Sequence, residues 1–419
     1  MLKIVYPISC GIDVHKKFVV ATIATTNSNS VTTYKTKQFS TFTSDLIQLR
    51  DWLSLNNCNE VCMESTGKYW IPIFNILEST CRVTLANPKF IKNIPGKKTD
   101  KRDSIWIADL HKHGLVRGSF IPPKQIRELR DLMRYRVKLI GFRSSEKNRL
   151  QNSLTVSNLM ISSVVSDTFG KSASAIIKYA IEHPDNINVD FTKFLHKSML
   201  HKAEQINASM QGTISNEQCS KMNVCLNHYD YINTCMSQLD ETISLIANEF
   251  TDSIKIVETA PGITYNSAIG IISEIGVDMS VFPDAKHLCS WAGLTPQNNE
   301  SAGKKKSVRI SRAGVYLKPL LIQCANAAIK DKSYPYFRYR YESIKKRRGH
   351  KRAIIAIARM LLTCIYNMLS KNEIFDEELY REYLNSARKP LNTNISKMIL
   401  FLESKGFTIS HISDNELTP

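Results

Sequence analysis

A chain of 419 residues with 43% apolar content has material for two or three domains with real cores, which excludes wholesale disorder. Its 56 Lys and Arg against 38 Asp and Glu leave a net charge of +18, an excess that points to a polyanionic partner rather than a small neutral ligand. The ten cysteines form no Cys-x-x-Cys pair, which excludes a zinc ribbon and fits buried, reduced thiols in a cytoplasmic protein.

Met1 to Val5 is too short and too soon interrupted for a signal peptide, and no run of about 18 uncharged apolar residues predicts a membrane span. In chain order, Ile8–Val14, Phe18–Ile23 and Val31–Phe39 read as three β-strands. Phe42–Leu55 has helical spacing, with Leu46, Leu49 and Leu53 on one face. Glu60–Glu64 is a short strand, Trp70–Glu78 a helix and Val83–Ala86 a strand. Three adjacent strands followed by alternation is the order of a ribonuclease-H-like α/β fold, in which the first strand lies centrally beside the fourth. A long basic helix follows over Lys124–Leu154, in the manner of a coiled-coil arm. Thr155–Ser220 reads as irregular, and Cys225–Phe250 as a second long helix. Beyond residue 251 the chain is mainly helical, and Ala260-Pro261-Gly262-Ile263 before a small-residue helix reads either as a phosphate-facing helix-hairpin-helix turn or as plain packing. A basic run, Lys345 to Arg352, precedes an apolar helix over Ala353–Leu369. The expected fold class is therefore α/β plus α. Its domains are an α/β domain over 1–121, a helical coiled-coil linker and dimerisation region over 122–250, a mainly α-helical domain over 251–372, and a tail over 373–419.

Four acids fall where such a fold would gather them. Asp13 ends the first strand and Glu64 ends the fourth, while Asp100 and Asp103 share one face at the start of a predicted helix. Clustered carboxylates without partners repel, and are stable together only if protonated or metallated. Oxygen donors suit Mg²⁺, with Mn²⁺ as the alternative, and two such ions support phosphodiester cleavage. Singly, each acid could equally be a turn cap, a solvated strand end or an N-cap. Farther on, Ser301 lies in Asn299-Glu300-Ser301-Ala302-Gly303, followed by Lys304, Lys305, Lys306, Arg309 and Arg312. A serine in a small-residue turn flanked by cations can approach a phosphate and attack it; the same sequence also suits an exposed basic loop. Ser307 and Ser311 compete for the role, although Ser311 reads more as a helix cap. Lys16 and Lys98, beside the acids, are candidate phosphate contacts together with the cations after Ser301.

These two constellations resemble the Piv-type DNA invertases and related insertion-sequence transposases with a RuvC-like DEDD domain. The likeness rests on Gly11-Ile12-Asp13-Val14, Glu64-Ser65-Thr66-Gly67, Lys98-Thr99-Asp100 with Asp103, Pro261-Gly262-Ile263, Gly293-Leu294-Thr295-Pro296, Ser301 with Gly303, and Ile310-Ser311-Arg312 with Gly314. It covers roughly residues 7 to 120 and 251 to 372. The resemblance implies metal-binding acids at Asp13, Glu64, Asp100 and Asp103, and a nucleophilic serine at Ser301 that forms a 5′-phosphoserine. It further implies strand cleavage and exchange on DNA, guidance by an element-encoded bridge RNA, and a dimer or tetramer in a prokaryotic, nucleoid-associated setting. This chain departs from the usual pattern at Ala302, at Ser104 after the last aspartate, and at Val315 after Gly314. Three rivals stand against this reading. One is a RuvC-like two-metal junction nuclease with no covalent step. Another is an ATP-binding protein of the actin and sugar-kinase fold, which would need Gly-rich phosphate loops that the sequence lacks. The third is a non-catalytic nucleic-acid-binding protein.

Overall fold

The computed structural model describes residues 2–87, 99–187, 189–296, 299–301, 304–307, 309–376 and 378; the side chains of 299–301 and 304–307 lie outside that description. The chain divides into two units, Met1–Pro123 and Lys124–Pro419.

The first unit is built on a five-stranded sheet of β1 (Ile8–Val14), β2 (Phe18–Thr26), β3 (Thr32–Ser40), β4 (Glu60–Glu64) and β5 (Arg82–Ala86). The spatial order is β3-β2-β1-β4-β5, with β1–β2 and β2–β3 antiparallel and β1–β4 and β4–β5 parallel. This is the expected ribonuclease-H-like arrangement, with β1 central beside β4. Alternation along β1 sends its residues to two different layers. Cys10, Ile12 and Val14 join one core with Leu46, Leu49 and Leu53 of α1 (Thr43–Leu55) and Ile73 and Leu77 of α2 (Trp70–Leu77). Ser9, Gly11 and Asp13 face α3 (Asp100–Lys112) on the other side.

Gly11 sets how close α3 can come. A Cβ at this position would meet the Ser104 carbonyl oxygen at 2.2 Å and the Ala108 nitrogen at 2.3 Å, so only glycine lets the helix backbone lie on the strand. Polar pairs seal the seam on either side. Ser9 Oγ lies 2.8 Å from His111 Nδ1, and Thr22 Oγ1 lies 2.7 Å from Ser104 Oγ. The hydroxyl of Ser104, one of the departures from the family pattern, thus has a buried partner on β2. Cys62, Ala86 and Ile107 complete the layer.

In the second unit, α4 (Lys124–Val156) and α7 (Asn216–Ala247) run antiparallel. Arg136 pairs with Asp240, Arg143 Nη1 donates to Asn233 Oδ1 at 3.1 Å, and His228 Nδ1 meets Glu146 Oε1 at 2.9 Å. Leu139, Ile232 and Met236 fill the seam between them. The two long helices thus pack on each other within the chain, while Val137 and Phe142 of α4 and Val224 and Leu245 of α7 stay exposed. Helix α7 starts nine residues before the expected Cys225, because Met222 and Cys225 face a further core. That core occupies the stretch that reads as irregular. Leu150 and Leu154 of α4 join Ile176 and Ile177 of α5 (Lys171–Glu182), Phe191, Ile206 of α6 (Ala203–Ser209) and Met210.

The remaining helices are α8 (Thr251–Glu258), α9 (Tyr265–Ile275), α10 (Ala285–Trp291), α11 (Leu317–Ala328), α12 (Pro335–Arg348) and α13 (His350–Lys371). By length and composition α13 could cross a membrane. Half of its apolar window is buried against its neighbours, as in the core helix of a folded domain. Helix α4 is anchored here as well. Arg130 donates to the Ser273 and Glu274 carbonyl oxygens at 2.8 and 2.7 Å, satisfying the C-terminal end of α9, and Arg134 forks onto Glu274 at 2.7 and 2.8 Å. One 33-residue helix therefore belongs to two cores. Midway between them lie Gly141, with open space where a Cβ would be, and Ser144 and Ser145, whose hydroxyls donate to the Ile140 and Gly141 carbonyls at 2.9 and 3.0 Å.

The Pro261-Gly262 turn between α8 and α9 packs closely on its neighbour. Gly262 (φ 71°) would place a Cβ 2.4 Å from both Ala328 N and the Cys324 carbonyl oxygen, so the turn is pressed on α11.

Candidate active site

Asp13 and Glu64 leave parallel neighbouring strands together. Ile12 pairs with Met63, so the next residue on each strand points to the α3 face. The α3 helix is capped by Thr99, whose Oγ1 accepts from Arg102 N at 3.3 Å. The cap is therefore Thr99, and the Asp100 side chain is left to reach the strand ends. Asp100 and Asp103 both occupy the first turn, where the helix dipole favours negative charge.

The close contact at Gly11 delivers that turn over Asp13. Donor atoms of Asp13, His15 and Asp100 all lie within 4.8 Å of one another, the one metal-ligand grouping of this kind among the described residues. His15 Nε2 is 3.1 Å from Asp13 Oδ2 and 3.5 Å from Asp100 Oδ1. Asp13 is 8% exposed, and burial pushes its carboxyl above the usual carboxylate range; His15 opposes the rise, and Asp103 and Asp100 add to it. A carboxyl in that position lacks positive charge, which a divalent cation would supply. Glu64 is half-buried at the end of β4, and Asp103 is half-buried one turn into α3. Both stand outside the three-residue grouping. The sequence alone does not single out His15 as a member of this grouping; its only signal is its place two residues after Asp13.

In the second unit Ser301 ends β6 (Asn299–Ser301), paired antiparallel with Lys304 of β7 (Lys304–Ser307). The base of this hairpin is held by two loops that interlock. Gly293 (φ 70°) would place a Cβ 2.6 Å from the Ala313 carbonyl oxygen, and Gly314 (φ 66°) one 2.1 Å from the Ala292 carbonyl oxygen. Pro296 bridges to Ile310, and Lys318 Nζ donates to the Ser311 and Ala313 carbonyls at 2.8 and 2.9 Å. Ser311 caps no helix, contrary to expectation. Its hydroxyl accepts from Ala313 N at 3.2 Å inside the loop, and the next helix begins only at Leu317.

Lys16 is exposed in the β1–β2 turn, and Arg309 and Arg312 are exposed at the hairpin base; Lys304, Lys305 and Lys306 lie on β7, and Lys98 lies outside the described residues. A further cationic surface sits at the α12–α13 corner. Lys345, Lys346, Arg347, Arg348, His350, Lys351 and Arg352 are all exposed, and among the described residues Lys345 alone of these has an acidic partner, Glu342 at 3.8 Å. Lys351 and Arg352 lie in the first turn of α13, where the helix dipole disfavours cations, while His350 Nδ1 meets the Tyr341 hydroxyl at 2.8 Å.

Comparison with known proteins agrees with this layout. Residues 10–158 match the family model for the DEDD domain of IS110-type elements, described as a transposase, and residues 254–342 match the one described as the transposase IS116/IS110/IS902 family. The pilin gene-inverting protein of Moraxella bovis is 29% identical over 157 residues, 35% of this chain and 46% of its own length. Its counterpart in Moraxella lacunata aligns to the same extent. The transposase for insertion sequence element IS1111A of Coxiella burnetii is 27% identical over 143 residues, 32% of this chain and 38% of its own length. The chain thus spans less than half the length of each of these relatives.

Proposed function

Given that the chain carries the DEDD and C-terminal transposase domains of IS110-family insertion sequences, we propose that it cuts and rejoins DNA strands through the Asp13 cluster and Ser301. The observation that carries this reading is the convergence of Asp13 and Asp100 over the Gly11 contact, in a setting short of positive charge. Asp13, Glu64, Asp100 and Asp103 would hold Mg²⁺. When bound, the ion supplies Lewis-acid stabilisation of the charge that develops on phosphate oxygens. Asp13 and Asp100 orient the site, and the α3 layer excludes water from beneath it.

Ser301 is the nucleophile of the proposal. Its Oγ forms a bond to phosphorus, the 3′ oxygen departs and takes the proton, and a 5′-phosphoserine retains the bond energy for rejoining. Ser301 is assigned by its match to the family pattern and by its place at the end of a hairpin strand with a clasped base. Lys16, Lys98, the β7 lysines, Arg309 and Arg312 contact the backbone, and the α12–α13 corner extends that surface. A structured guide RNA rests on the family resemblance alone. Two duplexes must be held at once, so the working form is an oligomer of this chain, acting in the cytoplasm.

Incubation of the protein with its element-end DNA and Mg²⁺, followed by a denaturing gel, tests this. A covalent protein–DNA adduct is expected, absent in Ser301→Ala and absent in Asp13→Ala. An adduct that persists in Ser301→Ala removes the serine assignment, and full activity in Asp13→Ala removes the metal site. Cleavage with no adduct in the wild-type protein favours a two-metal nuclease.

A further inference from the structure

Two residues past Asp13 the chain turns, and the His15 side chain, 37% exposed, stays against the fold. Its backbone N–H donates to the Phe18 carbonyl at 3.0 Å, and its ring lies against the Phe18 ring, centroids 4.7 Å apart. This packing fixes the imidazole and aims Nε2 between two carboxylates from different elements, β1 and α3. His287 shows what an ordinary surface histidine does in this protein: it meets a single acid, Asp284, the N-cap of its own helix.

The spacing is that of ligands rather than of a single ion pair. Neighbouring corners of an octahedron with bonds of about 2.1 Å are about 3 Å apart. The two contacts of His15 Nε2, 3.1 and 3.5 Å, fall close to that separation, and all three donors lie within 4.8 Å. An imidazole nitrogen is a poor partner for Mg²⁺, which prefers oxygen and water, and a better one for transition-metal ions. Resting on the metal reading above, we propose that His15 Nε2 is a direct ligand of the ion held by Asp13 and Asp100. The mixed nitrogen and oxygen set then favours Mn²⁺ over Mg²⁺.

Mn²⁺ added to the full-length protein tests this by electron spin echo spectroscopy, with Mg²⁺ affinity measured by competition. The bound Mn²⁺ is expected to show ¹⁴N coupling in the wild-type protein, lost in both His15→Ala and His15→Gln. Both variants should weaken Mn²⁺ binding by about tenfold or more and Mg²⁺ binding by less than about twofold. The wild-type spectrum needs no substitution, so a folding defect in either variant leaves the test intact. Bound Mn²⁺ without ¹⁴N coupling, or equal loss of both ions in the variants, overturns the ligand role of His15 while the carboxylate site stands. Mn²⁺ binding that survives Asp13→Asn overturns the carboxylate site itself.

Discussion

The acid cluster and the serine hairpin hold their key residues by different means. Asp13 and Glu64 ride on strands inside a sheet, and Asp100 is brought to them because a helix lies directly on Gly11. Ser301 sits on a hairpin of three- and four-residue strands whose register shifts between Asn299 and Glu300. Its support comes from below, where the Ala313 and Ala292 carbonyls take the space that a side chain at Gly293 or Gly314 would need, and both glycines adopt a left-handed backbone. Both sites depend on glycine at a backbone-to-backbone contact. Only the hairpin clasp also depends on positive φ, so it has two reasons to reject a side chain where the sheet has one.

The largest effect should therefore come from Gly314→Ala. Strain at positive φ and overlap with the Ala292 carbonyl together should destabilise by about 4 kcal/mol in denaturant unfolding and abolish the covalent adduct. Gly11→Ala adds overlap alone and should cost about 3 kcal/mol, with loss of Mn²⁺ affinity that Gly314→Ala does not share. Equal behaviour of the two variants would break the distinction. A wild-type melting curve for Gly314→Ala would remove the clasp altogether.

Protons sharpen the sheet side of the comparison. His111, 2% exposed at the far end of α3 from the acids, is pushed down to about 4 by burial, with Arg82 adding to it. An unfolded histidine titrates near 6.5, so between those values the unfolded chain takes up a proton that the fold refuses. Stability is complete above about pH 6.5 and falls by about 2–3 kcal/mol as pH drops to about 4. Comparing urea midpoints across this range with His111→Gln, which should lack that slope, isolates the effect. At the α12–α13 corner, Lys346→Ala and Arg347→Ala should each lower the slope of log affinity against log salt for DNA by about 1, with little change in stability. The smallest effect lies in α4. Gly141→Ala fills open space in a helix interior and should stabilise by about 0.5–1 kcal/mol.

What the sequence showed, and what it hid, follows from the same physics. Period-2 and period-3.6 patterns announced β1 to β5 and the Leu46, Leu49, Leu53 face, because those residues bury regular elements. The core around Phe191, Ile206 and Met210 went unread because turns and single-turn helices supply it without a repeat. The acids were legible as strand ends and a helix start. The contact that joins them is Gly11 against the Ser104 and Ala108 backbone, a meeting of residues more than 90 positions apart that no local pattern records. His15 was hidden for a similar reason, since its role depends on Phe18 and Asp100 together.

Helix α4 gives the second unit a mechanical property. It spans about 50 Å at 1.5 Å per residue, rooted at Arg130 and Arg134 in the α9 core and at Leu150 and Leu154 in the other. A rod gripped at both ends transmits a push from either one. Gly141, with the Ser144 and Ser145 hydroxyls tugging on the carbonyls beside it, is the point of least bending stiffness along the rod. A load applied at one core would therefore be partly taken up as flexure there before it reached the other.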